Sequence, residues 1–511
     1  MARNQRNGNN GKRLNSQQSV NAAIKSICDI MRRSNCAGAL QYVPELTWIL
    51  FLRILDEAEA REGEAAAAVG VDFTPSLVEP YRWRDWADPD GPKRKELQNG
   101  TLGAVFDFVN GDLLPYLKGL REQPGAAPRQ KVISEIMSGV EKVRIDTEKN
   151  FLDVLDKVHE ISADAVDTTH VFTLSQVYEG LLLKMGEKGN DGGQFFTPRE
   201  IIRAMVRVID PKAGETVYDP GCGTGGFLAQ SYEYMTERLG ARATGEQIEA
   251  LKHRTFYGRE KENLIYPIAL ANLVLHGIDQ PNLWHGNTLT GGETYGGLFQ
   301  SAPPLFDVVL TNPPFGGKEG KDAQTKFAYK TGATQVLFLQ HVIDSLKPGG
   351  RCGIVLDEGV LFRTNETAFV QTKRKLLDEC DLYCIVSLPG GVFTAAGAGV
   401  KTNLLFFVKG KPTEQIWYYD LSDIKVGKRL PFTLEKFGGF FDLLPGRGDS
   451  ERSWTVSRAD IEAKGYDLKA VNPNAKPDID TRTPEELLDL IEAKGREVAE
   501  ALAALRHGKA T

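Results

Sequence analysis

From Gln17 to about Met185 the apolar residues recur three and four positions apart, as in Ala23, Ile27, Ile30 and Met31, or Leu46, Ile49, Leu50 and Ile54. That is the spacing of one helix face, and no alternating pattern competes with it, so this part of the chain is predicted to be helical. The run G-E-K-G-N-D-G-G from Gly186 to Gly193 is rich in residues that tolerate positive φ and predicts a hinge-like loop. Beyond it come short β-branched or aromatic runs separated by helical stretches: Thr216 to Asp219, Thr255 to Glu260, Phe306 to Thr311, Cys352 to Asp357, Leu382 to Leu388 and Thr402 to Lys409. Strands alternating with helices imply an α/β fold, with a mostly parallel sheet covered on both faces. Ligands on such sheets bind at the carboxyl ends of the strands. The predicted organisation is a disordered basic tail over 1–16, a helical domain over 17–165, an α/β domain over 166–430 and a C-terminal tail over 431–511.

The tail ends in a helix, predicted over 483–507. Thr483-Pro484-Glu485-Glu486 carries a capping Thr, a Pro in the first turn and a returning Glu. Leu488, Ile491, Val498, Leu502 and Leu505 then follow a heptad-like spacing, interrupted at Gly495. Two readings fit: a helix packed on its own domain, or one that docks against a helix of another chain.

Composition narrows the class. The chain has 511 residues, 41% hydrophobic and 25% charged, which is the make-up of a soluble protein with sizeable cores. A net charge of -6 is unexpected for a protein that grips nucleic acid unaided, because phosphate contacts demand clustered Lys and Arg. A basic partner is one answer. Arg3, Arg6, Lys12 and Arg13 form a local basic stretch, although a Gly/Asn-rich start also reads as a simple tail. Six scattered cysteines suit a reducing compartment. Cys380 and Cys384 lack a second pair of ligands, so no metal site is expected. The longest largely apolar run, Leu46 to Leu55, is far short of the about 20 residues of a membrane span. With no signal peptide, the expected location is cytoplasmic.

Val217 to Phe227 reads V-Y-D-P-G-C-G-T-G-G-F: a strand, a glycine-rich turn and a helix start. Glycines allow close backbone approach, and a helix N-terminus presents free N–H groups. A merely tight strand-to-helix turn would look the same. The next predicted strand ends in Glu260, the residue type that holds ribose hydroxyls. Glu260 stands 41 residues after Asp219, where a dinucleotide fingerprint wants about 20, and no phosphate-cradling G-K-[ST] is present. S-adenosylmethionine, which has an amino acid and an adenosine but no phosphate, remains the favoured ligand. The candidate binding residues here are Asp219, Gly221, Gly223, Thr224, Gly225, Phe227 and Glu260.

The strand Phe306 to Leu310 runs into Thr311-Asn312-Pro313-Pro314-Phe315. Two prolines end the ladder and fix the backbone. An exocyclic amine of adenine is a poor nucleophile, because its lone pair is delocalised into the ring. Two acceptors that take its hydrogens draw the nitrogen towards a tetrahedral shape. The side-chain carbonyl of Asn312 and the main-chain carbonyl of Pro313 are the candidate acceptors, Pro314 stiffens them, and Phe315 would stack on a flipped-out base.

On these residues the sequence resembles the amino-methylating DNA methyltransferases, and among them the modification subunits of type I restriction–modification systems. The likeness covers nearly the whole chain. Gly193-Gln194-Phe195-Phe196-Thr197-Pro198-Arg199 is similar to a family element that closes over the methionine part of the cofactor. Read as composition alone, it is a loop before a helix of Ile201 to Val208, with Thr197 as cap and Pro198 in the first turn. His285-Gly286-Asn287-Thr288-Leu289 resembles the element whose acidic or amide side chain meets the cofactor's adenine; with Asn287 a charged contact is lost. Gly391-Val392-Phe393 and Gly399 to Asn403 look like the late strand-and-loop pattern. Val43 to Glu57 resembles the family's N-terminal bundle.

The resemblance implies a Rossmann-like class I S-adenosylmethionine-dependent methyltransferase domain that methylates N6 of adenine in double-stranded DNA. It also implies a separate specificity subunit that chooses the sequence, with two modification subunits per specificity subunit, and a restriction subunit able to join. The 101 residues after Gly410 are too few for base-specific readout plus a tail. The same motif also serves methylation of RNA bases or of a glutamine amide in proteins, but those relatives lack the helical N-terminal domain and the Gly193 to Arg199 element. A scaffold without turnover is the other alternative, and intact Asn312, Asp219 and Glu260 argue against it.

Overall fold

The computed structural model describes residues 17–34, 36, 39–160, 197–393, 401–427, 430–469, 471–474 and 483–507. The basic tail, the Gly186 to Gly193 hinge and the boundary at 165 lie outside the described residues.

Ten strands form one sheet: β1 (Val217–Asp219), β2 (Phe256–Glu260), β3 (Asn282–Asn287), β4 (Gly292–Tyr295), β5 (Phe306–Thr311), β6 (Leu346–Asp357), β7 (Cys380–Ser387), β8 (Thr402–Lys409), β9 (Gln415–Asp420) and β10 (Ser453–Ser457). Their order across the sheet is β10-β9-β7-β8-β6-β5-β1-β2-β3-β4. The centre is parallel, β3 to β2 to β1 to β5 to β6, and β8 is inserted antiparallel between β6 and β7. The central strands, such as F-D-V-V-L-T in β5, are buried on both faces, which is why they read as near-continuous apolar runs. The strand order reverses at β1, and a crevice opens there above the carboxyl ends. Asp219, Glu260, Asn287 and Thr311 are the last residues of β1, β2, β3 and β5. This is the α/β methyltransferase architecture that the resemblance implies.

Four strands go beyond the expected set. β3, N-L-W-H-G-N, has no apolar period because it buries polar side chains in particular contacts. Asn282 Nδ2 donates to the carbonyls of His253 and Phe256, and the His285 ring stacks on Tyr266 at 4.2 Å. β4 is a largely exposed edge strand. β9 and β10 carry the sheet past the boundary expected at 430, with Tyr418 stacked on Trp454. Much of 431–469 therefore packs with the α/β unit rather than trailing from it. Pro445, Gly446 and Gly448 mask this in the sequence.

The N-terminal residues build the predicted helical domain. Its main helices are Gln17–Arg33, Ala39–Ala68, Pro128–Met137 and Glu148–His159, around buried Trp48, Phe51, Trp83, Trp86 and Phe151. It meets the α/β unit through the helix Ile265–Leu275, I-Y-P-I-A-L-A-N-L-V-L, which is apolar all round. Such a helix must be covered on every side, and here the Ala39–Ala68 and Pro128–Met137 helices cover it. Beside it Arg129 bonds Glu62 at 2.8 Å and Asp279 at 2.6 Å, and Lys252 reaches the other oxygen of Asp279 at 3.2 Å. Burial works to raise the Asp279 carboxyl, but the two cations outweigh it and hold its pKa below the usual value. Among the described residues no helix is long and apolar enough to cross a membrane.

Arg129→Ala leaves Asp279 and Glu62 half-buried without their shared cation. The expected loss is about 2 kcal/mol by urea denaturation. A carboxyl with a depressed folded pKa contributes stability above its unfolded pKa and loses it as pH falls, so the difference from wild type shrinks below about pH 4.

Candidate active site

The glycine-rich turn leaves β1 at Asp219 and enters the helix Gly226–Leu239. Gly223 and Gly225 have φ of 53° and 81°, in the left-handed region that favours glycine. A Cβ on Gly226 would come within 2.9 Å of the Ile202 Cδ1, so a side chain there would displace that methyl group. Asp219 is buried, and its Oδ1 accepts from the Gly221 N–H at 3.1 Å and from the Thr311 hydroxyl at 2.7 Å. Glu260 Oε2 accepts from the Gly223 N–H at 2.9 Å, and Oε1 accepts from the N–H groups of Lys261 and Glu262, each at 2.8 Å. Burial pushes both carboxyls up to about 7, against these hydrogen bonds. The Thr288 hydroxyl donates to the Pro220 carbonyl at 2.6 Å, and Asn272 Nδ2 to the Thr224 carbonyl at 2.9 Å. Thr288 and Asn272 thus brace the turn from two sides.

At the end of β5, Asn312 Nδ2 donates to the Thr197 hydroxyl at 3.0 Å. Its Oδ1 is buried and has no partner. A buried amide oxygen without a donor is costly, and Asn312 lines a cleft of about 260 Å³. Pro313 is buried, and its carbonyl accepts from Gln335 Nε2 at 3.2 Å, which leaves one lone pair. The Phe315 ring meets the buried Phe393 edge-on at 5.5 Å.

The cleft runs unbroken from Glu260 to Phe315. Of the residues expected from sequence, it is lined by Thr197, Asp219, Gly221, Gly223, Thr224, Phe227, Glu260, Asn287, Thr288, Asn312, Pro314 and Phe315. Pro198, Gly225 and Pro313 support it from behind. Gln194, Phe195 and Phe196 lie outside the described residues. Thr197 corrects one expectation: the helix starts at Arg199 with Pro198 at its N-cap and no side-chain cap, so the Thr197 hydroxyl is directed to Asn312 instead. Asn287 faces the cleft, but its Oδ1 is taken by the N–H groups of Leu289 and Thr290.

Sequence reasoning missed Phe338, which lines the cleft beside Gly221, and Thr311, Gln335 and Asn272, which hold its walls. Phe338 belongs to the apolar pattern of the helix Thr334–Ser345, with nothing to separate it from core. The other three act through one hydrogen bond or two, and no local spacing marks them.

In chemical terms, two buried carboxylates on the floor disfavour a phosphate and suit hydroxyl or ammonium groups. The free acceptor at Asn312 suits an N–H donor arriving over Phe315.

Comparison with known proteins agrees with this architecture. Residues 169–481 match the family described as N-6 DNA Methylase, and residues 20–158 match the HsdM N-terminal domain. The methylase subunit of the type I restriction enzyme EcoEI from Escherichia coli is 34% identical over 96% of this chain and 97% of its own length. A chain from a structure of type I R-M system assembly and conformational transition is 38% identical, with a TM-score of 0.71 over 96% of this chain and 98% of that one. A modification subunit from Vibrio vulnificus YJ016, assigned to a type I restriction enzyme, is 32% identical, with a TM-score of 0.77 over 90% and 98%.

A carboxyl whose folded pKa is raised to about 7 favours folding most below its unfolded pKa and progressively less as pH rises through 7. Asp219→Asn, which keeps the acceptor without the charge, is therefore expected to have a higher Tm than wild type at pH 8. The gap should close as pH falls towards 5, read by thermal melts of the ligand-free protein across that range.

Proposed function

The chain belongs to the N-6 DNA methylase family, as a methylase subunit of the type I restriction class, and on that footing we propose its reaction and partners. It transfers a methyl group from S-adenosylmethionine to the N6 amino group of an adenine flipped out of double-stranded DNA. The observation that carries this is the buried, partnerless Oδ1 of Asn312, a residue whose NH2 is engaged by Thr197 and which lines the same cleft as Asp219 and Glu260.

The cleft fits the cofactor by chemistry. Glu260 takes ribose hydroxyls, the left-handed turn at Gly223 and Gly225 lets the backbone approach, and Asp219 holds that turn while offering negative charge towards an ammonium group. Asn287, Thr288 and Phe338 border the adenine end. The cofactor, when bound, supplies an electrophilic sulfonium methyl, so no strong base has to act before transfer. Asn312 Oδ1 and the free lone pair of the Pro313 carbonyl accept the two N6 hydrogens and turn the amine's lone pair outward. Pro314 removes backbone freedom, and Phe315, held by Phe393, stacks on the base. Orientation therefore does most of the work.

A specificity subunit supplies sequence choice, with two copies of this chain per specificity subunit and a restriction subunit able to join. Two observations favour this: a net charge of -6, and the helix Pro484–His507, whose Leu488, Ile491, Val498 and Leu502 are 61, 66, 59 and 49% exposed. Its capping box forms as expected, with Thr483 N–H on Glu486 at 2.8 Å and Glu486 N–H on Thr483 at 3.2 Å. A well-capped helix that leaves its apolar stripe in water is built for another chain.

The test is transfer of labelled methyl from S-adenosylmethionine to unmethylated plasmid DNA, with and without the specificity subunit, followed by nucleoside analysis. N6-methyladenine formed only with the partner is expected; label in RNA or protein instead would overturn the assignment. Asn312→Ala should bind cofactor normally yet lose at least about 100-fold in turnover. Removing Thr483 to Thr511 should leave a folded enzyme that no longer co-elutes with the specificity subunit on a sizing column.

A further inference from the structure

We infer that Gln335 is a positioning residue for the transfer, holding the Pro313 carbonyl where it can accept the second hydrogen of the target amine. The inference rests on the methyltransferase reading above.

Gln335 is the second residue of the helix Thr334–Ser345 and is 3% exposed. A polar side chain near a helix start ordinarily faces water or caps its own helix; this one does neither. Its Nε2 donates to the Pro313 carbonyl at 3.2 Å, and its Oε1 accepts from the Asp357 N–H at 3.0 Å. Burying an uncharged amide is tolerable only with both ends bonded. Here the two bonds also fix which end is which, since the oxygen must meet the N–H and the nitrogen the carbonyl. Gln335 therefore ties the tip of β5 to the tip of β6, where Asp357 in turn accepts from the Val360 N–H at 3.0 Å.

The chemistry needs this tie. Two acceptors must face one nitrogen together, and a shift of about 1 Å can cost 100-fold in rate. Asn312 is set by the Thr197 hydroxyl. Within N-P-P-F the prolines restrict the backbone but give the Pro313 carbonyl no hydrogen bond, because Pro314 has no N–H and the backbone ladder has ended. Gln335 takes one lone pair of that carbonyl and leaves the other for the substrate.

The substitution Gln335→Glu separates positioning from mere packing. Protonated, the new carboxyl donates to Pro313 and accepts from Asp357, as the amide does. Ionised, it has no proton to give and repels the carbonyl oxygen. The other charged groups near this side chain are Asp357, Glu319 on the Thr334 hydroxyl, and Lys318, Arg363 and Glu366 around the adjoining cavity. Wild type shares all of them, as it does Asp219 and Glu260, so the ratio of variant to wild-type kcat at each pH cancels their titration.

Turnover is measured with the specificity subunit present, alongside S-adenosylmethionine binding and Tm at each pH. For Gln335→Met, kcat should fall roughly 10- to 100-fold at every pH, with cofactor Kd unchanged. For Gln335→Glu, the kcat ratio should rise as pH falls from 8.5 to 6, with cofactor Kd again matching wild type. A Gln335→Met protein with kcat within twofold of wild type overturns the inference, as does a flat ratio for Gln335→Glu. The Glu variant decides alone if the Met variant does not fold. Absence of methyl transfer by wild type under the same conditions would instead remove the methyltransferase reading itself.

Discussion

The hydrogen bond of 2.7 Å from the Thr311 hydroxyl to Asp219 closes the floor of the cleft. Thr311 ends β5 and Asp219 ends β1, the two strands on which the sheet order reverses. The same carboxylate oxygen takes the Gly221 N–H, so one buried group sets the ends of two strands and the first step of the glycine-rich turn. Burial works against it, pushing the Asp219 carboxyl up to about 7. A group held at that cost is tolerated where function requires it, and a cationic or hydroxylic ligand would relieve part of the cost.

The fold was legible wherever burial is two-sided. β5 and β8 were found at both ends, and β1 and β2 to within a residue, because continuous apolar runs carry their own signal. β3 and β10 were not, for opposite reasons. β3 is buried but polar, and its side chains make particular contacts such as that of Asn282 with two carbonyls. β10 is short and follows a stretch of Gly, Pro and charge that reads as loop. The candidate site divides in the same way. Residues that meet a ligand through backbone or by type, Gly223, Asp219, Glu260 and Asn312, stand in short local motifs. Residues that hold those in place, such as Asn272 and Gln335, come from elsewhere in the chain, and even Thr311, next to Asn312, acts on Asp219 far away in sequence, whereas a motif records only neighbours.

Thr197 shows how the two groups meet. Composition assigns it to a helix start, and the family resemblance to the cofactor; its hydroxyl in fact receives the Asn312 amide. In this arrangement the hydroxyl accepts from the Asn312 NH2 and leaves the amide oxygen without a partner. An NH2 facing the adenine amine would oppose two donors, so the flip state of Asn312 is as consequential as its identity. Because Thr197 stands just before the helix Arg199–Ile209, far from N-P-P-F in the chain, the acceptor depends on residues outside its own motif.

The helix Ile265–Leu275 carries that dependence further. Its apolar surface joins the helical domain to the sheet, while Asn272, on the same helix, donates to the Thr224 carbonyl in the glycine-rich turn. The N-terminal domain therefore packs on the same helix that braces the glycine-rich turn. A displacement of the helical domain would move Asn272 before it moved Asp219 or Asn312, which are anchored in the sheet. The turn thus has a brace on the helix between the two units, whereas the acceptors stand at the end of β5 and are tied to Thr197 and, through Gln335, to β6.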